Sequence, residues 1–372
     1  MILGCPKEIK VHEYRVGLTP DCVKAYIKDG NKVYIEEDAG LIAGFTNEEY
    51  ISAGASIVKD RNKIYEISDM IVKVKEPQPE EYKLFHKGQI LFTFLHLAAD
   101  KELTEALLEL GIKAVAYETI ERSDGQLPLL RPMSEIAGKL SVIEGSKYIE
   151  CFYKGRGVLL GGIPGVEKGR VTIIGGGTVG TNAAKIAVGL GAQVSILDIN
   201  MDQLAYLDDI FGGSINTLYS NTANIDKILT ESDLVVGAVL IHGAKAPKLI
   251  KRDDLAKMKR GAVLVDVAID QGGCIETSRP TTYDNPSFVV DDIVHFCVAN
   301  LPGAVARTST QALTTSTLKY GLQIANKGLE KAVKENSEIA KGVNIYNGKI
   351  TYEAVADSLN MDYTPLNDII IA

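Results

Sequence analysis

The sequence predicts an α/β protein of two domains, one of them a Rossmann-type dinucleotide-binding domain. Three observations carry this. Strand and helix signals alternate from residue 1 to about 128, the pattern of a largely parallel sheet with crossover helices. A second alternation, in 170–200, is built around a glycine-rich turn. A chain of 372 residues is also long enough for two domains of about 150 residues each.

The elements follow in order. Ile2 to Cys5 reads as the first strand. Thr19 caps a helix with Pro20 in its first turn, and Val23, Tyr26 and Ile27 form its apolar face. Lys32 to Glu36 is the next strand, and Thr46 with Glu49 forms a capping box. Met70 to Val74 is a strand with Lys75 at its end; alternation puts Lys73 and Lys75 on one face. Ile90 to Leu95 is a strand ending at His96, and Asp100 caps a helix with Leu103, Ala106, Leu107 and Leu110 at helical spacing. Leu127-Pro128 and Arg131-Pro132 mark a boundary. Met133 to Phe152 is a long helix, followed by a glycine-rich stretch, 155–169. Later strands are Ser214 to Tyr219, Leu234 to Val239, Ala262 to Ile269 and Val294 to Val298. Ala306 to Asn326 is a second long helix, and Asn347-Gly348 signals a type I′ hairpin. The pattern leaves open whether the tail from about 305 forms a third domain or returns to the first.

Bulk properties exclude several function classes. The composition, 46% hydrophobic and 24% charged, suits a globular chain with a full core. A net charge of −8 argues against nucleic acid or an anionic membrane as partner. The longest apolar run, Ile90 to Ala99, is broken by Thr93 and His96 and is shorter than the ~20 residues of a membrane helix. No signal-peptide pattern is visible, and Cys5, Cys22, Cys151, Cys274 and Cys297 are scattered. They read as reduced thiols, mostly core filler, in a cytoplasmic protein. No HExxH motif or Cys/His cluster indicates a metal site.

The glycine-rich turn carries the first chemistry. Val171 to Ile174 is a strand, Gly175-x-Gly177-x-x-Gly180 follows, and Ala183, Ala184, Ile186, Ala187 and Leu190 are spaced for a helix closed by Gly191. Gly175 permits the turn, Gly177 lets a pyrophosphate approach the helix N-terminus, and Gly180 lets helix and strand pack closely. The next strand, Gln193 to Leu197, ends in Asp198, 18 residues after Gly180. A carboxylate there accepts hydrogen bonds from ribose hydroxyls and repels a 2′-phosphate, which favours NAD over NADP.

Such a domain joined to a second α/β domain suggests a dehydrogenase. The strand ends of the first domain then offer Arg15, Lys75 and His96 to a substrate. Arg15 alone reads more readily as a surface ion-pair residue, and Lys75 beside Glu76 as a solvated charge pair. His96 ends an apolar strand and is expected to be half-buried, in a catalytic role or with a backbone partner. Asp270 follows a mostly apolar run and is expected not to be fully solvated, whether as a helix cap or as a site residue.

These residues lie in segments that resemble L-alanine dehydrogenase: CPKEIKVHEYRVGLTP (5–20), VKVKEPQ (72–78), LFTFLHLAAD (91–100), RPMSEIAGKLSV (131–142), GGIPGV (161–166), IIGGGTVG (173–180), GAKAPKL (243–249), DVAIDQGGCIETSRPTTYDNP (266–286) and CVANLPGAVARTSTQAL (297–313). The resemblance implies a Rossmann-type NAD domain, 129–304, inserted in an α/β substrate domain made of 1–128 and 305–372. It implies reversible oxidative deamination of L-alanine to pyruvate and ammonium, by hydride transfer in the interdomain cleft of a homo-oligomer, hexamer or dimer. By position, Arg15 and Lys75 bind the substrate, with Met133 and Asn300 lining the site. His96, Asp270 and Lys75 are catalytic, with His96 transferring protons. Ser134, Gly175, Gly177, Thr178, Val179, Gly180, Asp198, Gln203, Ser220, Val239 and Leu240 meet the cofactor, NAD. Gln203 replaces a Lys or Arg of some members, which is expected to weaken cofactor affinity, and His242 replaces a Pro. The runner-up is the NAD-binding subunit of a proton-translocating transhydrogenase, which the retained Arg15, Lys75 and His96 argue against. A non-catalytic NAD(H)-sensing module is the other alternative.

Overall fold

The apolar runs become strands of two separate sheets in the computed structural model, which describes residues 1–239 and 246–370. The first strands are β1 (Ile2–Cys5), β2 (Lys32–Glu36), β3 (Ser56–Val58), β4 (Met70–Val72), β5 (Ile90–Thr93) and β6 (Lys113–Ala116). Then come β7 (Arg170–Ile174), β8 (Gln193–Asp198), β9 (Ile215–Tyr219), β10 (Leu234–Gly237), β11 (Val263–Asp266), β12 (Ser287–Val290) and β13 (Ile293–Phe296). The last pair is β14 (Val343–Tyr346) and β15 (Lys349–Ile350), joined through Asn347 and Gly348, both at positive φ as a type I′ turn requires.

Among the described residues, one sheet has the order β15-β14-β6-β5-β4-β1-β2-β3 and the other β12-β13-β11-β10-β7-β8-β9. In the first, β1 to β6 pair in parallel and the β14–β15 hairpin adds antiparallel beside β6. In the second, only the edge strand β12 is antiparallel. Each sheet reverses its strand order beside its first strand, between β1 and β4 and between β7 and β10. In open α/β sheets, the carboxyl edge at such a reversal is where ligands bind.

The chain divides into two compact units, 1–133 with 303–372, and 134–302. The tail is built into the first unit: Ile345, Ile350, Val355 and Ala356 share one core with Ile71, Leu91, Leu103 and Leu107. In the second unit Ile174, Leu197, Val235, Leu264 and Ile275 form a core with Ile225 and Leu229.

Capping chemistry places the helices as the sequence suggests. Thr19 accepts from the Cys22 amide ahead of helix Pro20–Lys28, and Asp100 accepts from Leu103 N ahead of helix Lys101–Leu110. Thr46 and Glu49 form the reciprocal box. Several ends differ from expectation, among them β10 at Gly237, short of Val239, β11 at Asp266, short of Ile269, and β13 at Phe296, short of Val298. The long helix is Arg131–Tyr148, with Pro132 in the first turn, and Cys151–Tyr153 is a separate turn of 3-10 helix. β4 stops at Val72, short of Val74, and β5 at Thr93, short of Leu95. The reason is local: the amides of Val74 and Lys75 are taken by Glu8, and those of Leu95 and His96 by Glu118. Side-chain carboxylates replace the ladder there.

Close packing at the β7 turn gives a stability prediction. A Cβ on Gly180 would stand 1.8 Å from the Gly175 carbonyl oxygen. Gly180→Ala should therefore shift the turn and lower thermal stability. Calorimetry checks this; a parental melting temperature would refute it.

Candidate active site

In the first unit, charged side chains gather beyond the carboxyl ends of β1, β4 and β5. Arg15 is 3% exposed, which corrects its reading as a surface ion-pair residue. Its Nε and Nη2 donate to the two Glu13 carboxylate oxygens at 2.7 and 2.5 Å, and Nη1 donates to Met133 Sδ at 3.0 Å. A buried guanidinium persists because a carboxylate compensates it directly. Burial works against the charge on Glu13, but Arg15 outweighs it and holds the carboxyl far below the usual range.

Lys75 is half-buried. Burial, and then the nearby Arg15 charge, lower its pKa. The expected solvated Lys75–Glu76 pair is not formed: Glu76 is mostly buried and pairs with Lys10. Lys73 has a separate environment. It is fully buried, and its ammonium donates to Glu8 at 3.1 Å and Glu81 at 2.9 Å. Burial disfavours the Lys73 charge, and the two carboxylates outweigh that and raise its pKa. The other Glu8 oxygen accepts from Val74 N at 2.6 Å and Lys75 N at 3.3 Å.

His96 is half-buried, as its position suggests. Its backbone is left-handed, φ 54°, a region that disfavours residues with a Cβ. Its amide donates to Glu118 Oε1 at 2.6 Å and its ring stacks on Phe94 at 5.9 Å between centroids. Met133, 6% exposed, lies against Arg15. The structure thus joins Arg15, Lys75, Met133 and His96 to one unit.

In the second unit, the glycine turn follows β7 into helix Thr178–Gly189. Gly175 has φ 104°, and a Cβ there would meet Ala238 O at 2.6 Å and the Val239 side chain at 3.1 Å. Nothing lies within 4 Å of a Cβ on Gly177, so the backbone is open to a ligand at the helix N-terminus. Gly176 is tied down on both sides. Its amide donates to Asp198 Oδ2 at 2.6 Å, and its carbonyl accepts from Thr181 Oγ1 at 2.9 Å and Gln203 Nε2 at 2.7 Å. Asp198 Oδ1 accepts from Asn200 N, and its carbonyl from Ser220 N. These residues fit a dinucleotide: an open, amide-rich turn at a helix start, with a half-buried carboxylate at the end of the next strand.

Ser134 and Asn300 are half-buried in the same unit. Asp270 is exposed, contrary to expectation. β11 ends at Asp266, whose buried carboxylate turns back to accept from Cys274 N and Ile275 N, and Asp270 sits in the intervening turn Ile269–Gln271. Leu240 and His242 lie outside the described residues. A cavity of about 310 Å³ lies at the opposite end of the strands, lined by Arg170, Gln193, Asn216 and Lys227, and contains none of the expected site residues.

Sequence reasoning missed Glu8, Glu13, Lys73, Glu118 and Gly138. The first four act on backbone or partner side chains in ways that residue spacing does not reveal. Gly138 carries a weak signal, a glycine inside a helix. A Cβ there would stand 2.2 Å from Val179 O, so it allows helix Arg131–Tyr148 to approach the glycine turn.

The chain matches two family models, "Alanine dehydrogenase/PNT, N-terminal domain" over residues 4–137 and "Alanine dehydrogenase/PNT, C-terminal domain" over 141–353. It is 57% identical to alanine dehydrogenase of Methanococcus maripaludis over 366 residues, 98% of each chain. A solved L-alanine dehydrogenase superposes with TM-score 0.94 at 50% identity, covering 97% of this chain and 99% of the other. A transhydrogenase structure from Sinorhizobium meliloti superposes with TM-score 0.80 at 22% identity, covering 95% of this chain and 100% of the other, which shows a shared fold.

The Lys73 network generates a prediction. Removing one partner of a buried ion pair typically costs about 3–5 kcal/mol, because the other charge is left unpaired. Lys73→Met should destabilise the first unit by that order, as read by denaturant unfolding. A change within error would mean that the network contributes nothing net.

Proposed function

The chain belongs to the alanine dehydrogenase/PNT family, and we infer that it is an alanine dehydrogenase that reversibly deaminates L-alanine to pyruvate and ammonium. The observation that carries this reading is Arg15, Lys75 and His96 beyond the strand ends of one unit, in a chain alike over its whole length to enzymes of that name. The transhydrogenase reading has less support, since likeness to that structure extends to fold alone.

The residues divide the work by chemistry. Arg15, its guanidinium oriented by Glu13, takes the substrate carboxylate. Lys75 binds the same carboxylate and polarises the carbonyl oxygen as negative charge develops on it. Met133 packs beside Arg15 and lines the space for the methyl group, with Asn300 assigned to the same lining. His96 takes a proton from the substrate ammonium and passes it to solvent, then takes one from water as it adds to the iminium carbon and returns that proton to the nitrogen as the carbinolamine collapses to pyruvate and ammonium. The carboxylate of Asp270 is assigned to orienting water, ammonia or the ribose.

A nicotinamide cofactor supplies the redox partner for the substrate α-carbon. For its binding we assign Ser134, Gly175, Gly177, Thr178, Val179, Gly180, Asp198, Gln203, Ser220, Val239 and Leu240, and NAD as the form used. The turn's amides and the helix N-terminus suit a pyrophosphate, and Asp198 suits a ribose diol. Gln203 braces the turn through Gly176. The same reading assigns a homo-oligomer, hexamer or dimer, working in the cytoplasm. Among the described residues no helix is long and apolar enough to cross a membrane.

The direct test adds L-alanine and NAD and follows absorbance at the NADH band; no signal at any reasonable concentration would reject the reading. His96→Gln keeps hydrogen-bonding capacity but cannot titrate. It should bind NADH with parental affinity and lose at least about 100-fold in turnover in both directions. Near-parental turnover would move proton transfer elsewhere, with Asp270→Asn the next variant to measure. For the cofactor, kcat/KM with NAD should far exceed that with NADP, and Asp198→Gly should narrow the gap. Equal use of both by the parent protein would overturn the role given to Asp198.

A further inference from the structure

Glu76 stands out within the substrate unit. Its Oε1 pairs with Lys10, while its Oε2 is buried and finds no hydrogen-bond partner among the described residues. The side chain is 13% exposed. The other two buried atoms in this condition, Ser68 Oγ and the Tyr283 hydroxyl, are neutral. An orphaned carboxylate oxygen is the more costly case, because a charged acceptor loses more on leaving water. A group left in that condition beside the reaction residues is suited to a donor that arrives with the substrate.

Taking the alanine dehydrogenase reading as its basis, we propose that Glu76 is the specificity-determining residue for the substrate amine. Its Oε2 accepts an N–H from the ammonium of L-alanine, and from the nitrogen that enters during reductive amination. The charges around it fit a zwitterion. Arg15 and Lys75 supply positive charge for a carboxylate, and Glu76 supplies the negative charge that an ammonium needs. A 2-hydroxy acid has no second charge to offer and leaves Oε2 without its ionic partner. Glu76 is held in the ionised form that this contact requires. Burial disfavours its charge, but Lys75 and then Lys10 outweigh that and lower its pKa, and His96 acts in the same direction.

The sequence position supports the assignment. Glu76 follows Lys75 directly, in the segment beyond β4 whose backbone Glu8 holds through the Val74 and Lys75 amides. Pro77 comes next, and Gln78 Nε2 donates to the Glu76 carbonyl at 3.0 Å. The residue therefore sits on a braced segment, and Lys10 fixes one carboxylate oxygen while leaving the other for a ligand.

The test uses the full chain and measures reductive amination with pyruvate, NADH and ammonium chloride varied in turn. Glu76→Ala and Glu76→Gln should raise the KM for ammonium by about 10- to 100-fold, the range for losing a hydrogen bond to a charged group. The KM for pyruvate and the Kd for NADH should stay essentially parental. Glu76→Asp, which keeps the charge, should recover part of the ammonium affinity. Pyruvate reduction without ammonium should gain relative to amination in the Gln variant. NADH binding by fluorescence reports whether each variant is folded, and the near-isosteric Gln variant answers the question if the Ala variant fails to fold. An unchanged ammonium KM would overturn the proposal. So would an equal rise for pyruvate, which would make Glu76 a positioning residue for Lys75. A parent chain without alanine-dependent NADH formation would instead reject the underlying function.

Discussion

The first unit depends on the Glu8 carboxylate. One oxygen holds the amides of Val74 and Lys75, and the other is held by the Lys73 ammonium, which Glu81 also grips. Tyr65 donates to Glu81, and the Tyr117 hydroxyl donates to the Lys73 carbonyl. Burying these charges is expensive unless each is paired and hydrogen-bonded. The arrangement meets that condition and turns the chain out of β4 at a defined point. Lys75 leaves the sheet there, so its placement rests on the buried network of Glu8, Lys73 and Glu81.

The second unit meets an equivalent constraint with main-chain atoms. Its β7 turn is braced through Gly176, whose amide and carbonyl are both taken by side chains, from Asp198, Thr181 and Gln203. This leaves the backbone at Gly177 open. The difference follows from the ligands each half is assigned. A phosphate accepts hydrogen bonds from any suitably placed amide, so glycines and a helix start suffice. A small amino acid has to be distinguished by charge at both ends, and only side chains supply charges of both signs.

That contrast explains what can be read from the sequence. The glycine turn is legible because its parts lie within about thirty consecutive residues and each has a local physical job. Asp100, Thr19 and the Thr46–Glu49 box are legible for the same reason. The burial of Arg15 is not, because its compensation by Glu13 two residues earlier looks in sequence like an ordinary surface charge pair. The early ends of β4 and β5 are hidden too, since apolar residues continue through Val74 and Leu95 and the carboxylates that stop the ladders come from Glu8 and Glu118. Asp270 departs from expectation because the apolar run before it suggests a longer strand. The buried Asp266 ends that strand and leaves Asp270 in an exposed turn.

The proposed reaction residues lie just past the strands rather than on them, and sheet geometry gives the reason. Side chains on a parallel strand alternate between the two faces, and both faces are covered by helices in such folds. A catalytic group on β5 itself would point into that packing, as Phe92, buried at 1% exposure, does. Beyond the strand, the chain can take conformations that aim a side chain along the open edge. The backbone of His96 lies in the left-handed region, which carries a conformational penalty on the order of 1–3 kcal/mol for such a residue. Hydrogen bonds from the Leu95 and His96 amides to the Glu118 carboxylate, at 3.2 and 2.6 Å, act against that penalty. A hydrogen bond to a charged group contributes about 1.5–3 kcal/mol, so one well-formed bond is of the size required. Glu118 thus offsets the strain in the backbone that carries the His96 imidazole.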